Sequence, residues 1–142
     1  MPTITEREAE MFERFRTEIM ATNNYPAKMG DGPYIDKGNA RVGTPDMNSS
    51  AYFRVDILPA PAVKRELGTG GKVLHTGILS IAINTPENSG EVLMRSLIDA
   101  IVPVFSSRNV AGLHYLSPYP TPRIVSSGWA QRTVQCPYRY FV

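Results

Sequence analysis

Apolar residues recur at helical spacing near the start of the chain. From Thr5 to about Met20 they form a single stripe, which consists of Phe12, Phe15 and Ile19. Thr5 is the predicted N-cap of this helix, because Glu8 follows three positions later and would complete a capping box. The opposite side is charged and mixed in sign, so we expect water to cover it. The pattern predicts an N-terminal helix within residues 1–22.

A second and more apolar helical pattern runs from about Gly90 to Phe105. Its stripe consists of Met94, Leu97, Ile98, Ile101 and Phe105. Pro103 lacks an N–H and crowds the carbonyl group of Asp99, so we expect the helix to kink or end there. Because so much of this helix is apolar, we expect it to be the one that lies on a sheet.

Two segments in the middle of the chain have strand patterns. Ala51–Leu58 alternates, and its apolar face consists of Phe53, Val55 and Ile57. Val73–Asn84 is longer and apolar on both faces of its inner half, which predicts a central strand. Successive strands usually pair antiparallel. The connection rich in proline and glycine, residues 59–72, is therefore predicted to be a protruding hairpin arm.

The remaining predicted strands are Tyr34–Asp36, Gly112–Leu116, Arg123–Ser126 and Trp129–Val142. Ser117–Pro122 has proline at every second position, which predicts extended backbone outside the sheet. Pro137 interrupts the last strand and predicts an edge position or a bulge. The order of elements predicts an α+β fold: a mostly antiparallel β-sheet of about four to five strands with two helices packed against it.

Composition fits one soluble domain over residues 1–142, with 42% apolar and 20% charged residues. The single cysteine, Cys136, excludes an internal disulfide and favours a buried structural role. No apolar run is long enough to span a bilayer, and the charged N-terminal segment does not resemble a secretory signal. We therefore expect an intracellular protein.

Motifs for catalysis or ligand binding are weak. Gly68–Lys72 fails the phosphate-loop pattern, because Glu66 stands where the first glycine is needed and Val73 follows the lysine. The two histidines, His75 and His114, lie on different predicted strands, and no further ligands stand at metal-binding spacing. We predict no enzyme activity, no cofactor and no metal, although a site assembled only by folding would leave no trace here.

Charge is unevenly distributed along the chain. The first 99 residues carry 11 basic and 13 acidic side chains, whereas the last 43 have no acidic residue and four basic ones: Arg108, Arg123, Arg132 and Arg139. This layout suits head-to-tail contact between copies, or a basic face that meets an acidic partner or DNA. The alternative is that these four arginines are ordinary surface residues, scattered over the fold without a common partner.

Aromatic residues and arginines alternate near the C-terminus, and both types are enriched at protein interfaces. A core strand with inward-facing aromatic side chains is the favoured explanation of the pattern, and base stacking on a nucleic acid is a weaker third one. The candidate interface residues are Lys64, Arg65, Lys72, Arg123, Trp129, Arg132, Tyr138, Arg139 and Tyr140.

Most of the chain resembles the tail terminator proteins of long-tailed bacteriophages, which are also called tail-completion or minor tail proteins. The most similar part is Gly77–Pro86, followed closely by Gly90 at the start of an apolar helix. The order of elements is also similar, up to Gly128-Trp129 and the terminal strand. Two parts depart from the family: the long hairpin connection, and the proline-rich loop before Arg123.

The resemblance implies a structural virion protein that is not an enzyme. Similar proteins form a hexameric ring that caps the phage tail tube, ends its polymerisation and joins it to the head connector. The implied partners are other copies of the chain, the tail tube protein and a head–tail connector or neck protein. DNA would pass the lumen without specific binding, and no membrane is involved. The implied location is the head-proximal end of the virion tail, after assembly in the host cytoplasm.

Three alternatives stay open. The chain could be a small nucleic-acid-binding module that uses its basic C-terminal third, an enzyme with an unrecognised site, or a neck or head-completion protein. The first predicts a monomer whose binding to a duplex depends steeply on salt.

Overall fold

The computed structural model describes residues 3–23, 25–36, 40–45, 51–64, 73–89 and 91–142. Within them lie helices α1 (Ile4–Phe15) and α2 (Glu91–Ile101) and ten strands joined in one sheet. The strands are β1 (Ala27–Met29), β2 (Tyr34–Ile35), β3 (Tyr52–Pro59), β4 (Val63–Lys64), β5 (Val73–Pro86), β6 (Arg108–Val110), β7 (Leu113–Tyr115), β8 (Tyr119–Pro120), β9 (Ile124–Ser126) and β10 (Trp129–Phe141). The predicted α+β class is confirmed.

Helix α1 begins earlier than its sequence pattern indicates. Its N-cap is Thr3, whose side chain accepts a hydrogen bond from the backbone of Glu6 in a capping box, so the prediction of Thr5 and Glu8 is wrong. After Phe15 the chain continues as a π-helical turn, Arg16–Met20. The wider turn shifts the helical register, which lets the adjacent residues Ile19 and Met20 both reach the core.

Helix α2 ends where proline requires it to. The α-helical hydrogen bonds stop at Ile101, and Pro103 lies in the 3₁₀ turn Val102–Phe105, as predicted. The predicted start, Gly90, lies outside the described residues. Both helices pack on the sheet, as the predicted fold class implies, and the Phe15 ring of α1 meets Phe53 of β3 edge-on at 5.3 Å.

The sheet is built around three long strands. Its order is β2-β1-β3-β5-β10-β7-β6, and β5 is central between β3 and β10, as predicted. Only β1 and β3 pair in parallel among the described strands, so the sheet is mostly antiparallel. The prediction of four to five strands is too low. The strands that it missed (β1, β4, β6 and β8) are two or three residues long, too short to show alternation.

Strand β10 is paired along both edges. One edge follows β5 for 13 residue pairs without a bulge, and the other meets β9, β8 and β7 in turn. The edge position or bulge predicted from Pro137 is therefore wrong. Leu116 N donates to Pro137 O (2.9 Å), so the backbone oxygen and nitrogen of Pro137 both face the edge of β10 that carries β7 and β8. The nitrogen, which has no N–H, lies at the gap between these two strands. The proline-rich loop also joins the sheet, since Tyr119 pairs with Gln135.

The core lies between the helices and one face of the sheet. Phe53, Val55, Ile81 and Ile83 share that face and are completely buried. Gly77 is the tightest point, since a Cβ there would lie 2.5 Å from the Tyr138 hydroxyl oxygen and 2.7 Å from the Leu58 carbonyl oxygen. The centre of the molecule is therefore closely packed.

Candidate interaction surfaces

The predicted interface residues do not form one patch. Arg123 and Arg139 are exposed, whereas Trp129 and Arg132 are half-buried. Trp129 packs edge-on against the Tyr52 ring with centroids 4.8 Å apart. Arg132 Nε donates to the carbonyl oxygen of Thr121 (2.9 Å), so part of its role is structural.

Two predicted interface residues belong to the core. Tyr138 and Tyr140 are each 2% exposed, because they share the inner face of β10 and their rings stack in parallel, 5.9 Å apart. This placement corrects the interface assignment and favours the core alternative. Lys64 lies in β4, and Arg65 and Lys72 lie outside the described residues, as does the arm from 65 to 72.

An apolar groove lies between α1 and the β6–β7 hairpin. Its volume is about 700 Å³. Leu113 and Tyr115 of β7 form its buried floor, and Val110 of β6, 41% exposed, forms part of the rim. The hairpin that closes it turns at Ala111 and Gly112, whose positive φ angles of 52° and 91° are those of a two-residue type I′ connection.

The helical wall of this groove is acidic. Glu6, Glu10, Glu13 and Thr17 follow helical spacing, line the groove and are exposed. Helix α1 and its π turn together carry five glutamates and three arginines. Arg7, one of the three, is buried and bonds Glu10 at 2.9 Å, so it offsets part of the charge of that carboxylate.

The other two arginines of this element, Arg14 and Arg16, are also held by contacts at or beside the groove wall. Arg14 Nε donates to the carbonyl oxygen of Val104 (3.0 Å), and its guanidinium lies 5.7 Å from the Tyr115 ring centroid. Arg16 pairs with Glu13, and this hydrogen bond lowers the pKa of the Glu13 carboxyl. The carboxylate therefore stays ionised at neutral pH, on the rim of the groove.

Strand β9 forms the opposite kind of surface. We call residues 123–128 the β9 ribbon. Both Ile124 (61% exposed) and Val125 (44% exposed) face solvent, although they point to opposite sides of the strand. Arg123 precedes them, and the ribbon turns into β10 at Ser127 and Gly128, whose φ angles of 53° and 82° again fit a type I′ turn.

The ribbon lies far from the groove of its own chain. Val125 pairs with Ala130 of β10, whereas Tyr115 at the floor of the groove pairs with Tyr138. Eight residues of extended strand separate these registers, which is about 26 Å at roughly 3.3 Å per residue. One edge of β10 therefore carries an acidic apolar groove at one end and a basic apolar ribbon at the other.

Other chemistry is sparse in the described part of the chain. No three His, Cys, Asp or Glu side chains there stand close enough together to hold a metal ion. No helix among these residues has the length and apolarity that crossing a membrane requires. Burial raises the pKa of the Cys136 thiol to about 12, and the side chain is fully buried, so it is a structural residue.

Sequence reasoning missed both surfaces for different reasons. The charged side of α1 matches a helix face covered by water, because the hairpin that turns it into a groove wall comes from residues about 100 positions later. Ile124 and Val125 carry no such signal in the sequence, because a three-residue strand does not show which of its faces are covered. The signal available was Arg123 beside two adjacent β-branched residues in a segment without acidic side chains.

Comparison with protein-family models and with curated protein sequences finds no match. Among solved structures, one matches this fold with a TM-score of 0.63 and 11% sequence identity, and its name does not describe a function. The match covers 94% of each chain. At this identity the likeness shows the fold alone.

Proposed function

We propose that this chain is a structural virion protein of the tail terminator type. In this proposal it forms a hexameric ring that caps the phage tail tube, ends its polymerisation and joins it to the head connector. The proposal draws on the resemblance centred on Gly77–Pro86. The observation that carries it is the presence of two unlike apolar surfaces of opposite charge, the acidic groove and the β9 ribbon, on one small fold.

Unlike surfaces are what a ring needs. In a closed ring, one patch on each copy meets a different patch on its neighbour, whereas a two-fold dimer pairs a patch with itself. A terminator must also bind the tube on one ring face without repeating that binding on the other, or growth would continue. A fold with separate surfaces of different chemistry meets the first requirement.

The nucleic-acid-binding alternative has one observation in its favour. Arg108, Arg123 and Arg139 are all exposed, in the third of the chain that has no acidic residue. Phosphate contacts of this kind would make binding to a duplex strongly salt-dependent. They would not require copies of the chain to meet.

Electron microscopy of tail tubes polymerised with and without the protein tests the proposal. We expect rings at one tube end and a tube length that falls as the protein concentration rises. Bovine serum albumin at the same concentration is the control for crowding. Tubes of unchanged length without rings, together with a salt-dependent shift of a labelled duplex by the monomer, would favour the alternative.

A further inference from the structure

We propose that the contact between neighbouring copies is made by the β9 ribbon of one copy, seated in the groove between α1 and the β6–β7 hairpin of the next. That the contact joins copies in a tail terminator ring rests on the proposed function, whereas the contact itself is supported by the two surfaces. The partner is a second copy of this chain.

The apolar parts of the two surfaces match. The ribbon presents Ile124 and Val125, which are 61% and 44% exposed, and the groove presents Val110 above a floor of Leu113 and Tyr115. Strand β9 pairs only with β10 among the described strands, and two adjacent exposed β-branched side chains on such a strand are a risk for unwanted pairing. Seating the ribbon in a groove removes both apolar surfaces from water.

The charged parts are complementary. The only charged residue of the ribbon is Arg123, which is exposed. The groove wall carries three carboxylates (Glu6, Glu10 and Glu13) against one arginine (Arg14), so the charge of its lining is negative on balance. The last 43 residues contain no acidic side chain that would be repelled by this wall. Opposite charge at the rim speeds encounter and fixes orientation, whereas a wrong pairing of two grooves or two ribbons would place like charges together.

The geometry favours a contact between copies. The ribbon and the groove lie at registers eight residues apart on the same edge of β10, about 26 Å at roughly 3.3 Å per residue, so the ribbon does not reach the groove of its own chain. Each copy offers one groove and one ribbon, so the contact is head-to-tail. Repetition closes into a ring or continues as a filament, according to the rotation between neighbours.

Two single-cysteine additions test this contact. Val125→Cys places a thiol on the ribbon, and Ala9→Cys places one on the exposed groove wall of α1. The native Cys136 is fully buried, so it stays out of the reaction. Equimolar variants are mixed at high concentration and oxidised, and the products are resolved by mass.

We expect a mixed dimer of the two variants to exceed both self-dimers by at least tenfold, and the double variant to give a ladder of covalent oligomers. The matched control replaces Ala9→Cys by Val92→Cys on α2, where the side chain is 82% exposed. This pair should give no excess of mixed dimer. Dimers in the random ratio of one to two to one would overturn the inference.

Charge reversal gives a second readout. Arg123→Glu should weaken association at least tenfold, and mixing it with Glu13→Lys should restore the contact between unlike variants. Arg95→Glu, at an exposed site on α2, is the control for net charge. Association unchanged by Arg123→Glu contradicts the inference.

The two proposals fail in different ways. Rings of the native chain without mixed dimers would keep the proposed function and reject this contact. If mixed dimers form but no rings are found, either on tail tubes or free in solution, the contact would be supported and the terminator function rejected. Absence of both would reject both.

Discussion

The two edges of β10 show how the same strand can serve stability on one side and contact on the other. Along β5 the pairing is unbroken for 13 residue pairs, and the side chains on the inner face are buried. Along the other edge, three strands of two or three residues pair in turn, with a gap at Pro137. The interrupted edge carries the groove and the β9 ribbon. A continuous ladder fixes the fold, and short hairpins attached to its far edge supply surface.

The largest expected effect is on the β5 side. Gly77→Ala should destabilise the protein by about 3 kcal/mol, because the new Cβ meets the Tyr138 hydroxyl and the Leu58 carbonyl oxygen, and the carbonyl belongs to the backbone. Urea unfolding measures the change. Gly43→Ala is the control, since no heavy atom lies within 4 Å of the added carbon, and a shift within about 0.5 kcal/mol is expected there. Equal unfolding midpoints for the two variants would show that the contact at Gly77 is not restrictive.

Alkaline pH should act on β10 and on its neighbour β7 through the buried tyrosines Tyr138 and Tyr115, which pair with each other. Burial raises the pKa of Tyr115 and of Tyr138 to about 12, above the ordinary 10. The unfolded chain therefore loses these protons first. The resulting stability is complete below pH 10 and disappears as pH rises from 10 through 12. Urea midpoints at intervals across this range measure it, and the Tyr115→Phe, Tyr138→Phe double variant should lose much of the dependence. Identical curves for both proteins would contradict this assignment.

Changes at the ribbon should separate assembly from stability. Ile124→Ser with Val125→Ser should leave the free energy of unfolding within about 0.5 kcal/mol, because both side chains are exposed. The same variant should associate at least tenfold more weakly, which light scattering measures. Val92→Ser, with a side chain 82% exposed on α2, should change neither quantity. A double variant that assembles like the native chain would remove the ribbon from the contact.

Charge reversal at the two arginines of β10 should give unequal results. Arg139→Glu changes an exposed residue outside the groove and the β9 ribbon, so it should change neither the melting temperature nor the association between copies. Arg132→Glu also removes the hydrogen bond to the Thr121 carbonyl oxygen, at a cost of about 1 kcal/mol. Thermal melting together with light scattering distinguishes the two effects. Loss of association by Arg139→Glu at an unchanged melting temperature would contradict the proposed contact, because it would place copies together through a surface outside the groove and the β9 ribbon.

The smallest effect concerns the turn beside the groove. Ala111 has a φ of 52°, a left-handed conformation that costs an alanine about 1 kcal/mol and a glycine little. Ala111→Gly should therefore stabilise by about 0.5 kcal/mol, whereas Ala9→Gly within α1 should destabilise by about 1 kcal/mol. Urea unfolding of the two variants measures the opposite signs. A loss of stability at Ala111 would mean that the turn is not strained.

The long elements are predictable from the sequence because their periodicity extends over many residues. Both helices and the strands β3, β5 and β10 are found close to their predicted positions. The N-cap is ambiguous, since Thr3 with Glu6 and Thr5 with Glu8 have the same spacing, and the sequence alone does not choose between them. Strands of two or three residues depend on a partner strand and leave no local signal.

The surfaces are less predictable than the fold. Tyr138 and Tyr140 suit a core and an interface equally well by type, and only their burial distinguishes the two. The acidic side of α1 matches a solvated helix face until the β6–β7 hairpin lies beside it. A groove formed by elements distant in sequence becomes visible only once the fold is known.

Sedimentation equilibrium of the purified native chain, alone and after incubation with tail tubes, tests the central claim most directly. We predict a discrete species at six times the 15.7 kDa chain mass, either free or released from tube ends. A single species of 15.7 kDa at every concentration, with none bound to tubes, would contradict the account.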